Sequence, residues 1–375
     1  MNSITKIALA IFMCLIIMGC GSQTITGKVI EREQTIKVGF IAPLTVLAEV
    51  GEEMRNGVEL ALDDVNDPRL KIIIEDGQCQ PKPAVNAAQK LMTVDKVIAI
   101  IGPACTTSIL PVAPLANHYK IPIIGTVDSS EDIGKAGEYV FSAGFSVEDG
   151  AKLMANFAYT ELDARTASLL YDTDDWAQVL TESFKQEFEM LGGTVLDHLH
   201  HDISSKDYRT ELLKMKHSNP DVLYTIPLTL DGTILRQARE LKLTQTFLGA
   251  DSFGIESVIE GAGPAAEGTF FSYQLPYNQE TEDKLETLRQ KYLAKFGKEP
   301  FNLLYVGMAY DNVVMLSKIL KHAKTSEEVK DALAHMEPHQ GFIGVIDFDE
   351  RGLASRPQFI NTIHNNEFES VDFQT

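Results

Sequence analysis

Small hydroxyl residues follow two short apolar runs in the first third of the chain. The first run covers residues 97–101 and is followed by a Thr-Thr-Ser segment at 106–108. The second run covers residues 121–125 and leads into a segment at 126–130 that contains one threonine and two serines. Side-chain hydroxyls and backbone N–H groups are hydrogen-bond donors, and clustered donors bind anions. The two segments together predict a site for one small anionic group.

Each apolar run is too short for a helix and is typical of a buried strand in a parallel sheet. In open α/β sheets, ligands bind at the edge formed by the carboxyl ends of such strands. One crossover joins the two runs, so we expect the two hydroxyl-bearing loops to be neighbours. The helical pattern of this crossover is interrupted by Pro111 and Pro114, which lack the N–H that a helix interior requires.

Strand-like and helix-like segments alternate from residue 35 onward. Such βαβ alternation predicts the α/β class, with a parallel sheet covered by helices on both faces. The alternation restarts near residue 139, which indicates a second α/β unit, and helices dominate after residue 273. Because no low-complexity linker separates the units, we expect several crossings of the chain between them, forming a hinge.

Composition limits the classes of function. The chain has 375 residues, is 44% hydrophobic and carries a formal charge of −20. This composition supports a full hydrophobic core, and the negative charge argues against nucleic acid as a partner. The sequence contains no phosphate-binding loop and no Gly-x-Ser-x-Gly motif. We therefore expect no cofactor, no metal and no enzymatic activity; an exported α/β enzyme is the disfavoured alternative.

The N-terminal segment predicts export and a lipid anchor. Lys6 precedes an almost wholly apolar stretch at 7–18. About a dozen apolar residues are too few to span a bilayer and are typical of a signal peptide. The stretch ends in Ile-Met-Gly-Cys, which looks like a bacterial lipobox with Cys20 as the lipidated residue. We expect residues 1–19 to be a signal peptide and residues 20–34 to be a lipid-anchored tether at the cell envelope.

The alternative is an ordinary signal peptide with an incidental cysteine. The chain has four cysteines. Cys14 would leave with the signal peptide and Cys20 would carry the lipid, so Cys79 and Cys105 remain as an even pair. Exported proteins are able to carry disulfides.

Four sequence segments resemble one family of proteins. They lie at 51–61, 76–81, 101–108 and 234–238. Their order and spacing resemble the periplasmic branched-chain amino-acid-binding family, the type I solute-binding proteins of ABC transporters. The resemblance covers roughly residues 35–370. It implies a non-enzymatic protein that captures a small molecule and delivers it to a transporter permease.

The resemblance also implies the periplasmic-binding-protein type I fold, with two lobes that close on a ligand. Each lobe would have a parallel sheet flanked by helices, and three crossovers would form the hinge. The N-terminal lobe would comprise residues 35–142 and 273–342, and the C-terminal lobe residues 143–272 and 343–375. The family's cysteine pair implies a disulfide between Cys79 and Cys105.

The family's carboxylate-binding residues match positions in the two hydroxyl-bearing loops. Thr106 and Ser129 match the two hydroxyls, and Val127 matches the backbone carbonyl that accepts from the ligand ammonium. Thr107 begins the next helix, whose N-terminal amides favour an anion. The alternative for the segment at 106–108 is ordinary helix capping.

Two residues of the second unit complete the implied ligand set. Asp251 follows a strand and matches the family's acidic residue for the ammonium; alternatively it is a turn aspartate that accepts backbone N–H groups. Trp176 stands where the family often has Tyr and would form a wall of the pocket, or would be an ordinary packed aromatic. An anion site on one lobe and an acid on the other would let one zwitterion bridge the cleft.

Some positions depart from the family pattern. Val50 stands where an aromatic is frequent, and Pro227 replaces a Tyr that closes the pocket in branched-chain binders. Leucine, isoleucine and valine are therefore in doubt as ligands. A different amino acid and a non-amino-acid ligand, such as an aromatic carboxylate, stay open. A ligand-sensing receptor component of the same fold is the alternative to transport.

Overall fold

A computed structural model describes residues 35–127, 130–202 and 204–373. These residues form a compact unit in which strands and helices alternate. The strands are β1 (Ile36–Ala42), β2 (Leu70–Asp76), β3 (Ala99–Ile101), β4 (Ile123–Gly125), β5 (Val140–Ser142), β6 (Thr166–Asp172), β7 (Thr194–His201), β8 (Val222–Ile226), β9 (Thr246–Gly249), β10 (Phe270–Tyr273), β11 (His339–Gly341), β12 (Gly344–Ile346), β13 (Phe359–His364) and β14 (Glu367–Ser370). The α-helices are α1 (Ala48–Val65), α2 (Pro81–Lys90), α3 (Thr106–Tyr119), α4 (Val147–Thr160), α5 (Asp175–Met190), α6 (Arg209–Ser218), α7 (Thr233–Glu240), α8 (Glu256–Ala262), α9 (Gln279–Phe296), α10 (Leu303–Leu320) and α11 (Ser326–Ala334).

The strands form two main sheets. The first sheet has the order β2-β1-β3-β4-β5 and is parallel throughout. The second sheet has the order β14-β13-β10-β9-β8-β6-β7, and its strands from β10 to β7 are parallel. The predicted α/β class with two parallel sheets flanked by helices is confirmed. The second sheet differs in one respect, because β13 and β14 join its edge antiparallel.

Alternation along the strands explains why both faces of each sheet are covered. In β1, Phe40 packs into the core shared with α1 and α10, whereas the next residue, Ile41, packs with α2 and α3. In β6, Leu169 packs with α4 and α5, whereas the next residue, Leu170, packs with α6, α7 and α8. Successive side chains of a strand point to opposite faces, so apolar residues in sequence require helices on both sides.

Helix α10 is a core helix of the first sheet. Among the described residues it is the one helix long and apolar enough to cross a membrane, yet 67% of its apolar window is buried within the protein. It packs closely on α1, where a Cβ added at Gly57 would lie 2.2 Å from the backbone oxygen of Val306. A glycine is required at this position because the helix backbones approach too closely for any side chain.

The chain crosses three times between the neighbourhoods of the two sheets. It leaves the first sheet after β5 and returns after β10 to α9, whose Tyr292 hydroxyl accepts a hydrogen bond of 2.8 Å from Asn56 of α1. It enters the second sheet again at β13. Before that, Ser142 donates its N–H to Gly352 (2.9 Å) and accepts from the N–H of Ala354 (2.8 Å), so this segment lies beside the first sheet. The exact boundaries of two lobes stay a prediction.

Candidate ligand-binding site

The two hydroxyl-bearing loops of the first sheet are neighbours, as predicted. Val127, two residues after β4, donates its backbone N–H to the carbonyl of Ala104, which precedes α3, at 3.1 Å. The N-terminus of α3 therefore lies beside the loop after β4. Ser129, the predicted second carboxylate-binding hydroxyl, lies outside the described residues, as does Cys20.

The first turn of α3 offers donors at the end of the first sheet. Cys105 is extended immediately before the helix, and its side chain makes no capping hydrogen bond in the described part of the chain. Thr106 is half-buried, whereas the Ser108 side chain is buried, with a hydroxyl that has no hydrogen-bond partner among the described residues. The structure therefore retains the donor-rich segment on which the anion prediction depends.

The side-chain hydroxyl of Thr107 already donates a hydrogen bond within the protein. Its exposed side chain donates its hydroxyl proton to the backbone oxygen of Cys79 at 3.0 Å. A hydroxyl has one proton to donate, so this group is already committed as a donor. Only its backbone N–H stays a candidate for the ligand carboxylate.

The disulfide between Cys79 and Cys105 is confirmed. It joins the loop after β2 to the residue that precedes α3, across 26 residues of sequence. Asp76, at the end of β2, reinforces this region by accepting hydrogen bonds from the backbone N–H groups of Leu44 (2.9 Å) and Gln78 (3.0 Å). Loops after three neighbouring strands are thus fixed to one another around the N-terminus of α3.

Val127 lies where the two hydrophobic cores meet. Its side chain is half-buried and packs against core residues of both the first and the second sheet. Phe342 occupies a similar position between the two cores. The loop after β4 therefore contacts the core of the second sheet as well as that of the first.

Asp251 lies at the carboxyl end of β9 in the second sheet and begins a short 3-10 turn that ends at Phe253. It is half-buried, and its Oδ2 atom accepts a hydrogen bond of 3.1 Å from the side-chain amide of Gln274. Burial raises the pKa of the Asp251 carboxyl, and the Gln274 amide opposes this by stabilising the charged form. No lysine or arginine of the described ranges forms a salt bridge with it.

Buried tyrosines that the sequence did not indicate interact electrostatically with Asp251. Burial, followed by the negative charge of Asp251, raises the pKa of Tyr305 to about 12. Tyr273 is almost fully buried, and burial together with Tyr277, Asp251 and Tyr305 raises its pKa well above the usual value. Tyr305 belongs to α10, which packs on the first sheet, so groups from both halves of the molecule meet near Asp251. Tyr273 ends a strand of the same sheet as β9, and this could have suggested it from the sequence. No local pattern indicates Tyr305.

Trp176 is half-buried at the start of α5. Its backbone N–H donates to the carboxylate of Asp174 at 2.8 Å, and its side chain packs against the core between the second sheet and the helices α4 and α5. This contact agrees with a packed aromatic and leaves a role as a pocket wall untested.

The loop that contains Pro227 is held by a buried carboxylate. Asp172, at the end of β6, is fully buried and accepts hydrogen bonds from the Leu228 N–H (2.7 Å) and the Tyr208 hydroxyl (3.0 Å). Burial is the largest influence on the Asp172 carboxyl and raises its pKa. Asp172 thus positions a loop at the same sheet edge as Asp251, a role that the sequence did not suggest.

Within residues 35–127, 130–202 and 204–373, no group of three or more His, Cys, Asp or Glu side chains is placed to hold a metal ion. The chemistry available at the two sheet edges is hydrogen bonding and charge pairing. Donors cluster at the first sheet. At the second lies the Asp251 carboxylate, which accepts from the Gln274 amide and forms no salt bridge with a described lysine or arginine. The arrangement is that of a two-sheet α/β binding protein.

The chain belongs to the periplasmic binding protein family, whose model matches residues 35–366. Members of this family are exported substrate-binding proteins of transporters and are not enzymes. A relative from Pseudomonas aeruginosa, the "Leucine-, isoleucine-, valine-, threonine-, and alanine-binding protein", is 25% identical over 85% of this chain and 87% of its own length. The "Leu/Ile/Val-binding protein" of Escherichia coli is 23% identical over 91% of this chain and 97% of its own.

Solved structures share the fold. The branched-chain amino acid transporter substrate-binding protein LivJ from Streptococcus pneumoniae, in complex with isoleucine, has a TM-score of 0.77 at 25% identity and covers 90% of this chain and 99% of its own. A solute-binding protein from Rhodopseudomonas palustris, in complex with 3,4-dihydroxybenzoic acid, also has a TM-score of 0.77, at 21% identity, and covers 90% of this chain and 96% of its own.

Proposed function

We propose that this chain is a lipid-anchored, extracytoplasmic substrate-binding protein that captures an amino acid and delivers it to an ABC transporter. The observation that carries the ligand class is Asp251. It is a half-buried carboxylate at the end of a parallel strand, with an amide donor but no lysine or arginine salt bridge in the described ranges. A carboxylate in such a place is stabilised by a cationic ligand group, which an amino acid supplies.

The other end of the ligand belongs at the first sheet. In this proposal Thr106, Ser129 and the backbone N–H of Thr107 donate to the ligand carboxylate, and the carbonyl of Val127 accepts from its ammonium. Trp176 forms one wall. The N-terminal amides and dipole of α3 favour the carboxylate charge. The hydrogen bond between Val127 and Ala104 supports a single site made from both loops.

A ligand that contacts both proposed lobes would favour their closure. The proposed lobes comprise residues 35–142 with 273–342, and residues 143–272 with 343–375. Donors on the first and Asp251 on the second are engaged together only when the lobes approach each other. A ligand that contacts both ends therefore has a higher affinity for the closed form and shifts the population toward it.

The proposed site residues define the two charged ends of the ligand more closely than they define its side chain. The relatives' names include small, hydroxylated and branched amino acids, and one structural neighbour holds an aromatic carboxylate. The family has aromatic residues at the positions of Val50 and Pro227. Their replacement here disfavours a pocket of the same shape as that of the branched-chain binders. The second candidate function is binding of an aromatic carboxylate such as 3,4-dihydroxybenzoic acid instead of an amino acid. Such a ligand has no cationic group to pair with Asp251.

A thermal-shift panel tests the ligand class. Leucine, isoleucine, valine, threonine and alanine are compared with their D-enantiomers and with 3,4-dihydroxybenzoic acid. We expect at least one L-amino acid to raise the melting temperature, because a ligand at 100 times its Kd stabilises the folded state by about 2.7 kcal/mol. The D-enantiomers are the matched control, since they carry the same groups in the wrong arrangement. A shift with the aromatic acid alone would contradict the amino-acid proposal.

Transport and sensing share this fold and differ in partner. Genes for a permease and an ATPase beside this one would support delivery to a transporter. Genes for a kinase or a receptor would support the sensing alternative. Purified chain should also stimulate ligand uptake by vesicles that contain the neighbouring permease if delivery is its role.

Cys20 is the proposed attachment site of the lipid, since it follows the apolar stretch in a lipobox-like segment. We expect Cys20→Ala to abolish labelling by a fatty-acid analogue and recovery of the protein with membranes. Cys14→Ala is the matched control, because this cysteine lies within the apolar stretch and should leave both unchanged. Unchanged labelling of the Cys20→Ala variant would contradict the anchor.

A further inference from the structure

Gln274 lies beside Asp251 at the end of β10. Its side chain is 8% exposed, and its Nε2 atom donates to Asp251 Oδ2 at 3.1 Å. The two residues are 23 positions apart in sequence, and they meet because β9 and β10 are neighbouring parallel strands. Gln274 also begins the segment through which the chain returns to the first sheet.

The oxygen of the Gln274 amide has no hydrogen-bond partner in the described part of the chain. This oxygen, Oε1, is buried. A buried carbonyl oxygen without a donor is costly, and native proteins rarely leave one. Because the two ends of a side-chain amide are rigidly linked, this acceptor lies close to the Asp251 carboxylate.

Among the described residues, no cationic side chain pairs with these acceptors. Tyr273 and Tyr305 are in electrostatic range of Asp251, and both phenols hold their protons more strongly than usual, chiefly because they are buried. They are therefore neutral at physiological pH. Within the described ranges, no lysine or arginine forms a salt bridge with Asp251. The pair Asp251–Gln274 thus offers acceptors on two residues, one charged and one neutral.

We propose that Gln274 is a specificity-determining residue whose side-chain oxygen accepts a second N–H of the ligand ammonium, so that the site selects a primary ammonium. This inference rests on the proposed function, which places the ammonium at Asp251. A primary ammonium has three N–H donors and is able to satisfy both residues at once. An N,N-dimethylated ammonium has one N–H and satisfies only one of them.

The proposal predicts how substitutions at Gln274 depend on the ligand. Gln274→Met keeps a similar volume and removes both the Oε1 acceptor and the Nε2 donor to Asp251. It should weaken binding of a primary amino acid about 10- to 100-fold, the range for one hydrogen bond to a charged group. It should weaken binding of the N,N-dimethyl derivative by a clearly smaller factor, because that ligand makes no second N–H contact and loses only the support that the Nε2 donor gives to Asp251. In Gln274→Glu the new carboxyl shares a proton with the adjacent Asp251 carboxylate. The variant thereby keeps both a donor to Asp251 and an acceptor for the ligand, and should retain more affinity for the primary amino acid than Gln274→Met does.

Calorimetry at pH 7.5 measures these affinities for leucine, isoleucine, valine, threonine and alanine and for their N,N-dimethyl derivatives. Gln186→Met is the matched control, since Gln186 also donates its amide to a carboxylate, at 3.0 Å to Glu182, but on the exposed face of α5. The melting temperature of each ligand-free variant shows that it folds.

The outcomes separate this inference from the function on which it rests. If wild-type protein binds a primary amino acid and Gln274→Met weakens both forms of the ligand equally, Gln274 only positions Asp251 and the inference is wrong. If Gln274→Met leaves both unchanged, the inference is also wrong, and the proposed function stands. If wild-type protein binds 3,4-dihydroxybenzoic acid and none of the five amino acids, the proposed function is contradicted, and this inference with it.

Discussion

Asp251→Asn should weaken amino-acid binding by about 2–5 kcal/mol, the range for removing one partner of a buried charge pair. The substitution preserves size and removes the charge that is proposed to pair with the ligand ammonium. In the proposed cleft, which closure would partly dry, an unpaired ammonium is costly. Calorimetry with the L-amino acid that gives the largest thermal shift measures the loss.

Two comparisons make this result specific. Asp202→Asn is the control, because Asp202 is an exposed turn aspartate that accepts from the Ser204 N–H at 2.9 Å. It should leave binding unchanged. Thr106→Val removes one neutral donor to the ligand carboxylate and should weaken binding less, by roughly 1.5–3 kcal/mol. An amino-acid ligand whose affinity is unaffected by Asp251→Asn would show that the ammonium binds elsewhere.

The pH dependence of binding provides a second readout of Asp251. Burial raises the pKa of this carboxyl above its ordinary value of 3.8. The ammonium pairs with the ionised form, so affinity should fall on acidification as the carboxyl takes up its proton. This fall should begin at a higher pH than for an ordinary aspartate, and the Asp251→Asn variant should lack it.

Replacing both cysteines of the Cys79–Cys105 disulfide by serine should lower the free energy of unfolding by about 3–4 kcal/mol. The bridge closes a loop across 26 residues of sequence, and the chain-entropy model gives about this value for such a loop. Because the bridge joins the loop after β2 to the start of α3, ligand affinity should also decrease. Urea denaturation followed by circular dichroism measures the stability.

Chemical reduction provides the control for the disulfide. Dithiothreitol should lower the stability of the wild-type protein toward that of the double variant and should leave the double variant unchanged. Mass spectrometry of the unreduced protein should find no free thiol at Cys79 or Cys105. Equal denaturation midpoints for wild-type and variant protein would contradict a stabilising role for the bridge.

The sequence by itself determined the alternation of strands and helices and therefore the α/β class. Strands have distinct local signals, such as the two apolar runs that contain β3 and β4, because buried parallel strands need apolar residues on both faces. It also determined that the loops after β3 and β4 are neighbours, since one crossover joins two parallel strands. The local pattern indicated the two hydroxyl-bearing loops as an anion site and left Cys79 and Cys105 as an even pair. The family resemblance supplied the pairing of these cysteines and the roles of the individual ligand residues.

Helix α3 shows where local preference and tertiary structure disagree. Pro111 and Pro114 interrupt the helical pattern, yet the helix is continuous from Thr106 to Tyr119. Each proline costs about 3 kcal/mol in a helix interior. Burial of Ile109, Val112, Ala113 and Ala116 against the first sheet offsets this cost. Whether the helix continues through the prolines therefore depends on its packing against the sheet, about which the local sequence pattern carries no information.

The surroundings of Asp251 were decided by tertiary structure alone. Gln274 reaches it because β9 and β10 are neighbours in the sheet, and Tyr305 approaches from a helix that packs on the other sheet. Asp172 holds Leu228 across 56 residues of sequence for the same reason. Strand order and helix docking depend on contacts between distant residues, so the periodicity of a single segment carries no information about them. The sequence thus indicated the residues that could bind a ligand, and the fold determined which side chains surround them.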